Sequence, residues 1–453
     1  MNNSITNNVL SNLENMISAV VNHSSELSLI TRPGKDFSRK SKVGLQNAVN
    51  LLMNLKPTTI RYELKNLCND TGISISKGGF VQVRDKIKYE LFETIFNKFN
   101  SSYSCSEKYK GYNIVAVDGT ELNIPYVSND ELTLRTVRTK ISGEVGVPYS
   151  QYHLNGMYDC LNSRFIDAAI QGCRETNEIK AMIQMCERYN GPQSIFVADR
   201  GYESINLFEH LNKLEKHKYL IRVRDVSFKG SLFSKLELDG EFDEEINLTL
   251  TNYQRVEYIK QPKKYKVISN SNQRFDYLDD QNHFYDVKWR VVRFKLESQD
   301  NEDVYETIVT NLDSDEFTID DIKYIYSIRW NIEIAYKYLK TDLNLEYFLS
   351  KKRNFIKQEI WIKLIIYNVS TIITNLLEKK RIKKKKRKLE HKINISNAIH
   401  CVFDAFINLK RKGGIPPDLD EQIITETSPI RTNRRFNRNH RSRKTASSNY
   451  RHY

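Results

Sequence analysis

Cysteine is scarce in this 453-residue chain, and its six copies are scattered. Cys68, Cys105, Cys160, Cys173, Cys186 and Cys401 form no Cys-x-x-Cys pair, and no histidine pair follows at finger-like spacing. That argues against a structural zinc site and for reduced thiols in a cytosolic protein. The nine histidines show no metal-ligand spacing either. The first residues lack a basic segment followed by an apolar run, so no signal peptide is expected. Long hydrophobic runs are also missing. The nearest candidate, Ile360 to Leu377, is interrupted by Lys363, Asn368 and Asn375 and is short for a membrane span, so it reads as a buried helix. There is no Gly-x-Ser-x-Gly elbow, no Gly-x-x-x-x-Gly-Lys loop and no dinucleotide fingerprint, which removes the usual sequence grounds for hydrolase, nucleotidase or dehydrogenase chemistry. No internal repeat is visible.

What is present is apolar material and positive charge. Hydrophobic residues make up 40% of the chain and charged residues 28%, enough to fold two to four domains around sizeable cores. Lys and Arg outnumber Asp and Glu by 70 to 56, a formal charge of +14. Such a balance favours polyanions, of which nucleic acid is the commonest.

The pattern divides the chain. Residues 1–105 read as a separate helical region. A basic entry, Phe37-Ser-Arg-Lys-Ser-Lys42, precedes helical spacing over Val43 to Leu55, and Ser76 is a plausible cap for a basic helix that runs on from Phe80 through Phe92. This suits a DNA-reading module and, equally, a helical bundle with a solvated basic face. Residues 106–225 alternate strands and helices. Tyr112–Val117, His153–Tyr158, Phe165–Gln171, Ser194–Ala198 and Tyr219–Val223 read as strands, with helices over Thr176–Tyr189 and Ser204–Lys216. Residues 226–300 turn to a period of two, as in Ile246-Asn-Leu-Thr-Leu-Thr, and read as a β-rich insertion. Residues 301–350 return to a short strand and one long helix, Thr318 to Leu343, with Thr318 and Asp321 as a capping box. Residues 351–427 read as helical around a Lys/Arg run at 379–388, a solvated or DNA-contacting face. Residues 428–453 form a basic tail that reads as disordered. The fold class is mixed α/β.

Two aspartates stand at the ends of apolar runs. Asp118 follows Ile114-Val-Ala-Val and Asp199 follows Ser194-Ile-Phe-Val-Ala. In an α/β sheet such positions reach a site at the strand tips. Two carboxylates there can share Mg²⁺, and paired ions activate a water and stabilise a leaving phosphodiester oxygen. Taken singly, each Asp is better read as turn chemistry, a hairpin at Asp118-Gly119 and a helix-entry turn at Asp199. The long helix adds a third element. Tyr326, Arg329, Glu333 and Lys340 fall within an arc of roughly 60° on a regular helix, beside an apolar face of Ile325, Ile328, Ile332, Ala335 and Leu339. A solvated stripe with an Arg329–Glu333 pair explains the charges. It does not explain the upstream aspartates, or Trp330 on the same side.

The spacing Tyr326-x₂-Arg329-x₃-Glu333-x₆-Lys340, with Asp118 in Val-Asp-Gly-Thr and Asp199 in Asp-Arg-Gly-Tyr, resembles the signature of the insertion-sequence four family of bacterial transposases. The β-rich insertion and Asn394-Ile-Ser-Asn-Ala-Ile-His400 resemble the same family, over about residues 112 to 410. The resemblance implies a ribonuclease-H-like core in which Asp118, Asp199 and Glu333 hold two Mg²⁺ ions, with Mn²⁺ as a substitute. It implies that Tyr326, Arg329 and Lys340 contact the cleaved DNA end, and Trp330 lies where it could stack on an unpaired base. The implied activity is cleavage at the terminal repeats of double-stranded DNA and transfer of the freed 3′ ends to target DNA, by a homodimer in the bacterial cytoplasm at the nucleoid, with no membrane partner. A non-catalytic DNA-binding repressor and a structure-specific nuclease on the same fold are the alternatives.

Overall fold

The computed structural model describes residues 4–39, 43–55, 59–136, 147–268, 275–296, 304–381, 389–409 and 414–430. Lys40 to Lys42 of the basic entry, most of the 379–388 run and the tail beyond Ile430 lie outside the described residues.

Five helices open the chain: α1 (Ile5–Asn22), α2 (Leu45–Met53), α3 (Ile60–Thr71), α4 (Lys77–Asp85) and α5 (Glu90–Ser101). Ser76 caps α4 as its position predicts, its hydroxyl accepting from the Gly79 N–H at 3.1 Å. The helix expected to run on through Phe92 stops at Asp85, because Ile87 forms a β-bridge with Ile30 before α5 begins.

The middle of the chain builds one sheet. Its elements are β1 (Asn113–Ile124), β2 (Leu134–Arg135), β3 (Tyr149–Asp159), β4 (Arg164–Gly172), α6 (Glu178–Glu187), β5 (Ser194–Ala198), α7 (Ile205–Asn212), β6 (Lys218–Val223), β7 (Phe242–Thr251), α8 (Val256–Ile259), β8 (Tyr265–Val267), β9 (Phe284–Leu296) and β10 (Val304–Thr310). The order across the sheet is β2-β3-β1-β5-β6-β10-β9-β7-β8, with β4 also paired to β3. β3 is antiparallel to β1 and β4, while β5 is parallel to β1 and β6 parallel to β5. The stretch read as a β-rich insertion supplies β7, β8 and β9. These extend the central sheet through the antiparallel β9–β10 pair.

After the sheet come α9 (Ile319–Ile328), α10 (Asn331–Thr341), α11 (Arg353–Lys380), β11 (His391–Ile393), α12 (Ile395–Asn408), α13 (Leu419–Thr425) and β12 (Thr427–Pro429). Thr318 and Asp321 form the expected capping box at α9. The single long helix expected from Thr318 is two helices. At the junction the Arg329 and Trp330 N–H groups bond back to Tyr326 and Ser327, and those of Ile332 and Glu333 to Arg329 and Trp330. These i→i−3 bonds tighten one turn and reset the angular spacing of the residues on either side.

The two faces of the sheet feed two cores, as a period of two requires. Ile114, Ala116 and Leu122 of β1 join a cluster with α1, α2, α5, α9, α10 and α11. Val115 and Val117 join one with α6, α7 and the added strands. The N-terminal and C-terminal helices share the first cluster. Buried Arg84 of α4 joins them, bonding Gln358 at 2.8 Å and Glu359 at 3.0 Å on α11.

Helix α11 is long and apolar enough to cross a membrane, yet 83% of its most apolar window is buried within the fold. The polar residues that interrupt its apolar run are its docking points. Lys363 bonds the Leu343 carbonyl, Asn368 bonds both backbone groups of Phe165 at 2.9 and 2.7 Å, and Asn375 bonds the Asn162 carbonyl at 2.8 Å.

Candidate active site

Asp118 does not end a strand and makes no hairpin. β1 continues to Ile124, paired with β3, and Asp118 stands opposite Gly156 in mid-strand. What ends near Asp118 is the neighbouring ladder. β1 and β5 pair only from Asn113–Ser194 to Ala116–Val197. Two residues beyond the last pair lie Asp118 on one strand and Asp199 on the other, side by side where β5 falls away.

Asp199 does perform turn chemistry. It caps the short turn Arg200–Tyr202, its Oδ1 accepting from the Gly201 N–H at 2.8 Å. The turn and a site role are compatible, because the cap holds the carboxylate at the strand tip.

Helix α10 lies against β1 and brings the third carboxylate. Tyr336 donates its hydroxyl to the Asp118 carbonyl at 2.8 Å, and Lys340 donates to the Glu121 carbonyl at 3.0 Å. These two bonds fix the face of α10 that carries Glu333. Tyr336 fits because its partner position on β3 is Gly156, where a Cβ would stand 2.6 Å from the Tyr336 hydroxyl.

The charges of the three acids meet at Asp118. Its carboxyl is pushed up to about 7, first by burial and then by Asp199 and Glu333, against the opposing pull of Arg329. Two like charges beside a partly buried acid disfavour its ionised form. Arg329 is buried within the same group. Its Nη2 lies 3.0 Å from Glu333 Oε1, and its Nε has no hydrogen-bond partner among the described residues. Burial lowers the guanidinium pKa, but Tyr326, Glu333 and Asp118 outweigh it and hold Arg329 above its ordinary value.

Asp118, Glu333, Lys337 and Lys340 line a groove of about 750 Å³, open along one side. Tyr326 sits beyond Arg329, its ring centroid 5.6 Å from the guanidinium carbon. Trp330 is 45% exposed at the α9–α10 junction and does not line that groove.

Sequence reasoning missed a second polar group beside the aspartates. His153 Nε2 lies 2.9 Å from Glu178 Oε1, close enough for an ion pair but out of line for a hydrogen bond. Both side chains press on Gly119, where a Cβ would meet them at 2.2 and 2.7 Å. The only local signal was the glycine after each aspartate motif, Gly119 and Gly201.

The donor set is oxygen-rich, three carboxylates without thiolate or imidazole, which suits a hard divalent cation. Among the described residues no three acidic, His or Cys side chains are gathered into a ready cage. Glu333 is instead paired with Arg329. Asp118 and Glu333 face one groove and Asp199 stands in register beside Asp118, so the donor chemistry of the residues present fits such an ion.

The model of the transposase DDE domain matches residues 109–369, more than half of the chain and inclusive of all three acids. Over 301 residues the chain is 21% identical to "Transposase InsG for insertion sequence element IS4" of Escherichia coli (strain K12), covering 65% of this chain and 60% of that protein. A solved piggyBac transposase synaptic complex with hairpin DNA aligns with 90% of this chain and 82% of its own, at 11% identity and a TM-score of 0.43. This chain belongs to the transposase DDE-domain family.

Proposed function

We propose that the chain binds the terminal repeats of an insertion sequence, cleaves DNA at its ends and transfers the 3′ ends to target DNA. The observation that carries the reading is that Asp118 and Glu333 line one lysine-lined groove, with Asp199 in register beside Asp118 just past the end of the β1–β5 ladder. DDE transposases generally use divalent metals. Asp118, Asp199 and Glu333 would hold two Mg²⁺ ions, or Mn²⁺ in their place. Bound ions would supply charge neutralisation and an activated oxygen nucleophile.

The chain's own residues divide the remaining work. Arg329 holds Glu333 in place and offsets the charge at Asp118. Lys340, fixed to the β1 backbone, anchors backbone phosphate, and Tyr326 braces Arg329 toward the same DNA end. Trp330, exposed beside this group, offers a ring for an unpaired base. In the first step water attacks the scissile phosphorus and a 3′-hydroxyl leaves. In the second that hydroxyl attacks a target phosphodiester in the same in-line manner.

A ribonuclease-H-like core is supported by the strand order β4-β3-β1-β5-β6, with β3 antiparallel and β5 and β6 parallel to β1. We further propose that residues 1–105 bind DNA, that 106–225 and 301–350 form the catalytic core around the 226–300 strands, and that two copies act together on paired ends. The site of action would be the bacterial nucleoid.

The test is cleavage of a plasmid bearing the element's ends, in Mg²⁺ and in EDTA. We expect metal-dependent nicking at the ends followed by joining, both abolished by Asp199→Ala. Tight binding without cleavage in either protein would replace this reading with a non-catalytic DNA-binding role. Cleavage without joining would replace it with a nuclease.

A further inference from the structure

Glu178 opens α6 and is capped into place by Asn177, whose side chain accepts from the Lys180 N–H at 2.9 Å. It lies on the flank of the centre away from α10. One of its oxygens, Oε1, faces His153 Nε2 at 2.9 Å. The other, Oε2, lies 3.9 Å from where a Cβ on Gly201 would stand, and Asp199 Oδ1 lies 3.0 Å from that same point. Gly119, after the first aspartate, therefore opens the space that Glu178 occupies, while Gly201, after the second, leaves room for Asp199 with Glu178 at ordinary contact distance. Any side chain at Gly119 would strike both His153 and Glu178.

A second observation converges on the same place. Tyr202 is 1% exposed, and its hydroxyl has no hydrogen-bond partner among the described residues. Tyr202 closes the short turn that Asp199 caps, which places this buried ring on the same strand exit as the second aspartate. A sealed phenol costs free energy when it bonds to nothing. On the turn that Asp199 caps, such a phenol is a free donor close to that carboxylate.

We propose that Glu178, braced by His153, is a fourth carboxylate of this centre and shares with Asp199 in binding a divalent cation. The inference rests on the reading of Asp118, Asp199 and Glu333 as a cation-holding set. A hard cation prefers several oxygen donors, and a ligating carboxylate is itself oriented by its polar neighbours, here the His153 ring at ion-pair distance. Glu178 supplies Oε2 to the ion and leaves Oε1 to His153. Tyr202 would add a hydrogen-bond donor to the same polar group.

The test uses the full chain and Mn²⁺ alone, with free ion read by electron paramagnetic resonance and no DNA present. Glu178→Gln, which keeps size and removes charge, is expected to weaken Mn²⁺ binding about tenfold while leaving the melting curve unchanged. His153→Gln is expected to weaken it by a smaller factor, through loss of the brace. In end cleavage, Glu178→Gln is expected to need about ten times more Mn²⁺ for half-maximal rate and to recover at saturation, whereas Asp199→Asn stays inactive at any concentration. Mn²⁺ binding and demand identical to the unsubstituted protein in Glu178→Gln would overturn the fourth-ligand role alone. If Asp199→Asn also bound Mn²⁺ like the unsubstituted protein, the underlying cation-holding reading would fall with it.

Discussion

Asn in place of Asp118 should stabilise the protein while destroying its chemistry, and the stabilisation should depend on pH. In the folded chain the Asp118 carboxyl is raised from its ordinary 3.8 to about 7 by burial, Asp199 and Glu333. A group whose folded pKa lies above its unfolded pKa binds more protons when folded. Stability is therefore highest below the unfolded value and falls as pH rises toward the folded one, levelling off above it. A rise of this size would cost ~4 kcal/mol in a fully sealed group. Asp118 is only part-buried, so solvent screening brings the expectation to about 2 kcal/mol. Asn keeps the oxygen that accepts from the Gly119 N–H at 2.9 Å and carries no charge to repel Asp199 or Glu333. In EDTA, thermal melts of Asp118→Asn and the unsubstituted protein should nearly coincide near pH 4. They should separate progressively up to about pH 7, reaching about 2 °C at pH 8 for a chain of this size. Added Mg²⁺ should raise the melting temperature of the unsubstituted protein and close the gap. A difference independent of pH, or an Asn variant less stable at pH 8, would refute the claim that Asp118 is an electrostatically strained acid.

Two further substitutions test the frame around the site. Gly156→Ala places a methyl 2.6 Å from the Tyr336 hydroxyl and 3.0 Å from Phe165, so it should break the bond from Tyr336 to the Asp118 carbonyl. Overpacking of this kind costs about 1–3 kcal/mol, measurable by urea denaturation, and end cleavage should fall even at temperatures where the variant stays folded. Arg84→Ala strands the buried Glu359 carboxylate and should cost about 3–5 kcal/mol. Because the pair joins α4 to α11, proteolysis should then release the N-terminal helices. Unchanged proteolysis would show that the shared apolar cluster alone holds them.

Much of the site was legible because its signals are local. An apolar β-branched run ending in Asp marks a buried strand with an acid at its exit, and this holds for Ser194–Ala198 and Asp199 to the residue. A period of 3.6 over Thr318 to Leu343 placed Glu333 and Lys340 near each other whether or not the helix is broken. Where local reasoning failed, the missing quantity was tertiary. The break at Arg329–Trp330 leaves no glycine or proline to read. Asp118 read as a strand end because the apolar run stops there, although β3 continues the ladder for another six residues of β1.

By itself, then, the sequence determined the mixed α/β class and singled out the three acids and the basic stripe as candidates, since each rests on the period and chemistry of a short segment. Only the tertiary structure decided which of these groups meet. The parallel register of β1 on β5 puts Asp118 beside Asp199, the bonds of Tyr336 and Lys340 to β1 turn Glu333 inward, and the docking of α6 brings Glu178 to His153 of β3 over Gly119. These are relations between segments far apart in the chain. They are set by which faces bury together, and no local pattern of residues encodes them.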